Sequence, residues 1–164
     1  MRFKSVFVFV SLFAVALAST ALAGTKISGE SQCKADPPAP VAIPDQPNHA
    51  FAIVKAQCMW PKPMTMAGVP TKSGEETIQS EMTGNEASDH GYYVGTMSNG
   101  DKFTVKFAGT GHSKDGKPVN GEGNWSFVDG TGKLKGLKGS GTYKGTANPD
   151  GTMTAKIDGE YLVP

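Results

Sequence analysis

The feature that most constrains this chain is a two-residue alternation running from residue 102 to the end. In Lys102–Gly111, Phe103, Val105 and Phe107 alternate with Lys102, Thr104 and Lys106. Val119, Gly121, Gly123, Trp125 and Phe127 then alternate with Asn120, Glu122, Asn124 and Ser126. Leu137, Gly139, Gly141, Tyr143 and Gly145 do so with Lys138, Ser140, Thr142 and Lys144. The final run sets Met153, Ala155, Ile157, Gly159, Tyr161 and Val163 against Thr152, Thr154, Lys156, Asp158 and Glu160. Successive side chains of a strand point to opposite faces, so this pattern specifies antiparallel strands with one solvated side. Turn sequences separate the runs, at Lys114-Asp115-Gly116-Lys117, Asp129-Gly130-Thr131-Gly132 and Asn148-Pro149-Asp150-Gly151. No stretch beyond residue 23 carries a helical period.

Glycines share the inward face with aromatics: Gly121 and Gly123 with Trp125, and Gly139, Gly141 and Gly145 with Tyr143. A glycine weakens a strand unless it permits coiling or makes room for a large neighbour, and small barrels mix small and large interior residues for that purpose. The expectation is an all-β protein, a small antiparallel barrel of about eight strands connected as a meander, with a two-sheet β-sandwich as the alternative. Phe51–Trp60 and Glu76–Gly84 read as earlier strands.

The start of the chain has a different character. Arg2 and Lys4 precede an apolar run from Val6 to Ala18, broken only by Ser11, and Ala21-Leu22-Ala23 follows. Residues 1–23 therefore read as a cleavable secretory signal peptide, with Gly24 first in the mature protein. The apolar run falls short of the roughly 20 residues a membrane-crossing helix needs, and no later segment is a transmembrane candidate. The expected destination is the periplasm or the extracellular space. Cleavage takes Arg2 and Lys4 from 16 basic residues and leaves 14 against 15 acidic ones, which argues against nucleic acid as a partner.

Export also bears on Cys33 and Cys58. In an oxidising compartment two cysteines most simply form a disulfide, worth about 3.5 kcal/mol for a loop of this length in the chain-entropy treatment. Free or metal-bound thiols are the other readings. Pro37, Pro38, Pro40, Pro44 and Pro47 mark residues 24–49 as an irregular, proline-rich lead-in, which such a bond would strap down, and residues 50–164 as the barrel domain. Pro61, Pro63 and Pro70 punctuate a second irregular stretch.

The run Trp125-Ser126-Phe127-Val128-Asp129-Gly130-Thr131-Gly132-Lys133-Leu134-Lys135-Gly136, with the strand Gly139–Gly145 after it, resembles the strand–turn–strand signature of allene-oxide-cyclase and dirigent-type barrels. That resemblance implies the fold; the catalytic residues of those families have no match in this sequence. Asp45-Gln46-Pro47-Asn48-His49, Cys58-Met59-Trp60, Asn99-Gly100-Asp101-Lys102 and the Gly130–Gly145 run also resemble a set of uncharacterised secreted bacterial proteins, which implies export and a barrel. Gly123-Asn124-Trp125 resembles the Gly-x-Trp of lipocalins, although there it lies on the first strand.

An enzyme of this shape would hold its acid or base inside the barrel mouth. The inferred inward face of the last four strands carries no charged residue. Candidates therefore come from Glu76, which shares a face with Ile78 and Met82, and from His90, which shares one with Tyr92 and Val94; Tyr143 is a third. A buried Glu76 close to His90 would form an acid–base pair. At strand ends in water, both are ordinary surface groups.

Trp125, Phe127, Tyr143 and Tyr161 would instead line a pocket for a small apolar ligand. No cofactor is implied. His49, His90 and His112 lack any ligand spacing for zinc. Cys58-Met59 and Met64-Thr65-Met66 offer soft donors of the kind cuprous copper favours, or simply fill the core. Lys133, Lys135, Lys138 and Lys144 crowd one hairpin, as an anionic-surface site or as a solvated outer face. Gly130–Lys133 lacks the spacing and following helix of a phosphate loop. Non-enzymatic ligand binding or a structural envelope role is thus the leading expectation, and an isomerase or cyclase the alternative.

Overall fold

The computed structural model describes residues 24–164; the expected signal peptide lies outside the described residues. In chain order the strands are β1 (Thr25–Ala35), β2 (Val41–Ala42), β3 (His49–Lys62), β4 (Thr65–Met66), β5 (Val69–Thr83), β6 (Glu86–Met97), β7 (Lys102–Lys114), β8 (Lys117–Gly130), β9 (Lys138–Ala147) and β10 (Met153–Leu162). A single 3-10 turn at Gly132–Leu134 is the only helical element among the described residues.

The eight long strands form a closed antiparallel meander. Each pairs with the next long strand along the chain, β3 pairs with β5, and β10 returns to pair with β1. Closure leaves no long unpaired edge, which settles the architecture as a barrel over the sandwich. Two short strands are additions: β2 lies on β3 through Val41 and Ala42, and β4 on the start of β5.

The strand content extends further toward the N-terminus than the prolines suggest. Thr25–Ala35, within the expected irregular lead-in, is a full barrel strand, bonded to β10 on one side and β3 on the other. Its inward positions are Ile27, Gly29, Ser31, Cys33 and Ala35, mostly too small to register as an apolar stripe. Irregular chain is confined to the stretch from 36 to 48, interrupted by β2. Cys33 and Cys58 face each other across β1 and β3 and are joined by a disulfide, so the bond staples two barrel strands side by side.

The β7–β8 hairpin turns at Asp115 and Gly116, both with positive φ (52° and 71°), as a tight two-residue connection matching the strand twist requires. Inside the barrel, aromatics lie over glycines of neighbouring strands. The Phe103 ring covers Gly95, Phe107 covers Gly91, and Trp125 covers Gly141 and Gly159. Of the glycines expected to make room for large neighbours, Gly123 does so for Tyr143 and Gly141 for Trp125, whereas Gly121 and Gly139 face backbone of the adjacent strand and Gly145 the end of Met153.

Candidate functional site

Burial along the inner face of β6 and β7 falls from one end of the barrel to the other, while Ala52 and Ser80 on β3 and β5 stay buried throughout. At the end formed by the β3–β5 and β6–β7 connections, Trp60, Met66, Met97, Phe103, Leu134 and Leu137 are buried and packed together. That end is shut. Toward the opposite end the inward residues become small and half-buried: Ala87, Asp89 and Gly91 on β6, and Gly109 and Gly111 on β7. Inward side chains that are not fully buried mean that solvent reaches into this half of the barrel. The rim there, at Ala50 and Met82, opens onto a cleft of about 890 Å³ whose other wall is the proline-rich segment, including Pro40, Ile43 and Pro47. His49 holds that segment in place, one ring nitrogen 2.6 Å from Gln46 Oε1 and the other 2.8 Å from Glu81 Oε1.

Two carboxylates face this interior. Glu76 projects inward from β5 beside Tyr93, its register partner on β6. Its nearest polar contact is Cys58 Sγ at 3.7 Å, a disulfide sulfur with no proton to donate. Burial raises its carboxyl pKa to about 7, with the charge of Asp89 pushing the same way. Asp89 occupies the next inward row but one, paired with Ser80 and Gly109.

Tyr143 reaches toward Asp89 from the other side. Its ring lies against Gly123, and its hydroxyl stands over Gly109, the residue directly opposite Asp89 on β7. Burial, then the charges of Asp89 and Glu76, push the Tyr143 hydroxyl up to about 12, so it stays a neutral donor at any ordinary pH. Tyr93 is pushed up by burial and partly restored by the hydrogen bond that Trp60 Nε1 donates to its oxygen at 2.7 Å.

The candidate acid–base residues from the sequence separate into two environments. Glu76 and Tyr143 share the barrel interior, whereas His90 is exposed on the outer face of β6, so no Glu76–His90 pair forms. The residue that joins Glu76 is Asp89, one position earlier and on the opposite face. The signal for it was present: Gly91, Tyr93 and Gly95 repeat on β6 the glycine–aromatic pattern of the later strands, which makes the odd positions the inner ones.

Trp125 and Phe127 are buried against each other, ring centroids 4.9 Å apart, and the Trp125 indole donates to the Thr142 carbonyl at 3.1 Å. Tyr161 accepts a hydrogen bond from the Ala67 backbone N–H at 3.0 Å and packs at the shut end. Of the four expected lining residues, Tyr143 is the one set in the open half.

Among the described residues, Cys33, Cys58 and Glu76 bring metal-type donors within 4.8 Å of one another. With both sulfurs in the disulfide no thiolate is present, so this trio lacks the donor set a soft metal needs. Met64 and Met66 are buried in the core, and Met59 is exposed on the opposite face of β3. Lys133, Lys135, Lys138 and Lys144 are all exposed, Lys144 lying 3.9 Å from Glu122. The Lys133 backbone N–H is taken up by Asp101 Oδ2 at 3.0 Å, so the Gly130–Lys133 turn is tied to its neighbouring loop.

Fold and site together define a closed eight-stranded meander barrel, shut at one end and open at the other, with two carboxylates inside. No protein-family model matches the sequence, and a search of curated proteins finds no significant match. Among solved structures, the chain is similar to a conserved protein of unknown function from Rhodopseudomonas palustris. The TM-score is 0.55 at 9% identity, over 87% of this chain and 100% of the other. It also aligns with a pterocarpan synthase dirigent protein, at TM-score 0.48 and 13% identity, over 94% of this chain and 100% of that one. The first is a likeness of fold alone, and at such identity it carries no activity across.

Proposed function

We propose that this protein binds a small, largely apolar molecule in the open half of its barrel. One observation carries the reading: along β6 and β7 the inner face changes from large, buried side chains such as Tyr93, Met97 and Phe103 to small, half-buried residues. A barrel built only to be a core would be filled along its whole length. A rim cleft beside Pro40, Ile43 and Met82 lies at the same end of the barrel. Export to the periplasm or beyond belongs to this reading. It is supported by the Cys33–Cys58 bond, because disulfides persist in oxidising compartments. No helix of the described residues is long and apolar enough to cross a membrane.

The test is titration with the apolar fluorophore N-phenyl-1-naphthylamine. Saturable enhancement is expected, weakened about tenfold when Ala87→Trp fills the open half, at unchanged thermal stability. Enhancement that never saturates, or that ignores Ala87→Trp, would refute interior binding. A second reading, proton-transfer catalysis on the bound molecule as in an isomerase or cyclase, is favoured by the near-neutral Glu76 carboxyl. It predicts exchange of ligand protons with deuterated solvent that Glu76→Gln abolishes.

A further inference from the structure

The interior of the barrel has a sign. Every lysine of the described chain is exposed, and the three histidines sit on outer faces or at the rim, so no basic side chain accompanies Glu76 and Asp89 inside. Each charged group elsewhere that forms an ion pair does so on the exterior, as Lys26 with Glu160 and Lys62 with Glu30 do. Glu76 is different. It is largely enclosed and only partly exposed, and it accepts no hydrogen bond from a protein donor, since its one polar contact is a disulfide sulfur. Carboxylates withdrawn from bulk water are ordinarily matched by a cation or by several donors. Here neither is supplied by the protein.

The walls around them suit the same kind of guest. Phe107 and Tyr143 are half-buried aromatics packed against the core on the same inner face, and aromatic faces attract cations as well as apolar groups. The Tyr143 hydroxyl, placed over Gly109 and opposite Asp89, is available to a polar head group.

From this arrangement we infer that the molecule bound in the barrel is an amphipathic organic cation, an apolar body ending in a protonated amine that enters first and meets the Glu76 and Asp89 carboxylates. The inference rests on the interior-binding reading and adds the charge of the ligand to it.

The decisive experiment compares two probes of equal length, octylammonium and 1-octanol, by calorimetric titration of the purified oxidised protein at neutral pH. Octylammonium is expected to bind about tenfold or more tightly than octanol, the difference a charge-assisted hydrogen bond makes. Glu76→Gln and Asp89→Asn should each narrow the ratio of the two affinities, weakening octylammonium more than octanol, and the double variant should abolish the preference. Equal affinity for the two probes, or a preference that survives both substitutions, would overturn the cation assignment while leaving interior binding intact. Binding of neither probe would overturn both.

Discussion

The hydroxyl end of the Tyr93 ring fills the space into which a side chain on Gly74 would project. The ring cannot swing clear, because its oxygen is anchored by the Trp60 indole N–H at 2.7 Å and its edge packs against Trp60 and Phe103. Gly74→Ala should therefore destabilise the barrel by about 1–3 kcal/mol, the usual effect of overpacking a filled interior. Gly145→Ala is the matched control. There the nearest atom is the flexible end of Met153 at 3.3 Å, and a change within about 1 kcal/mol is expected. Denaturant midpoints of the two variants measure the contrast, and equal midpoints would contradict this packing.

Removing only the Tyr93 oxygen tests the other half of that anchor. Tyr93→Phe keeps the ring but leaves the buried Trp60 N–H without an acceptor. The expected loss is about 1–3 kcal/mol, the penalty for an unsatisfied buried donor. Tryptophan fluorescence should report a changed environment at Trp60 in the folded state, and an unshifted spectrum with unchanged stability would show the bond to be dispensable.

The disulfide holds β1 against β3 and encloses the proline-rich segment. Replacing both cysteines by alanine releases that loop in the unfolded chain and should lower stability by about 3.5 kcal/mol. Amide exchange locates the effect. Protection is expected to fall first at Lys34 and Ala35, which lie past Cys33, the last residue of β1 paired with β10, and are held there by β3.

How much of this was legible before the structure depends on side-chain size. Strands β7 to β10 declare themselves because large apolar residues such as Phe103, Trp125 and Ile157 alternate with charged or polar ones. β1 does not, since its inner face is largely Gly29, Ser31, Cys33 and Ala35, and the prolines that follow suggest disorder of pattern a dozen residues too early. On β6 the outer Tyr92 and Val94, 57% and 40% exposed, are as apolar as the inner Tyr93, so hydrophobicity alone cannot choose the face. That ambiguity hid Asp89 and made His90 look like a partner for Glu76. The depth of a residue is also invisible to alternation. Trp125 and Tyr143 share the inward phase, but only the pairing of eight strands shows that Trp125 is fully buried and Tyr143 borders the open half.

The enclosed Glu76 makes the stability of the barrel depend on pH in a particular direction. The titratable groups facing it are Asp89 and Tyr93 from β6 and Tyr143 from β9; β1, β3, β7, β8 and β10 present no charged side chain to it. Both burial and Asp89 favour its neutral form, raising the folded pKa from 4.5 to about 7. Between these values the folded protein holds a proton that the unfolded chain releases. Stability contributed by the neutral carboxyl is therefore full below about pH 4.5 and declines as pH rises toward 7, where the decline levels off. The total change is on the order of 3 kcal/mol. Glu76→Gln should remove this slope and leave the protein more stable than the parent above pH 7, because a neutral side chain then replaces a charge with no partner. Urea unfolding at pH 5 and pH 8 measures both. A parent protein whose Glu76-dependent stability is flat or rises across that interval would show that the carboxylate is solvated or paired, and would remove the electrostatic ground for a cationic ligand.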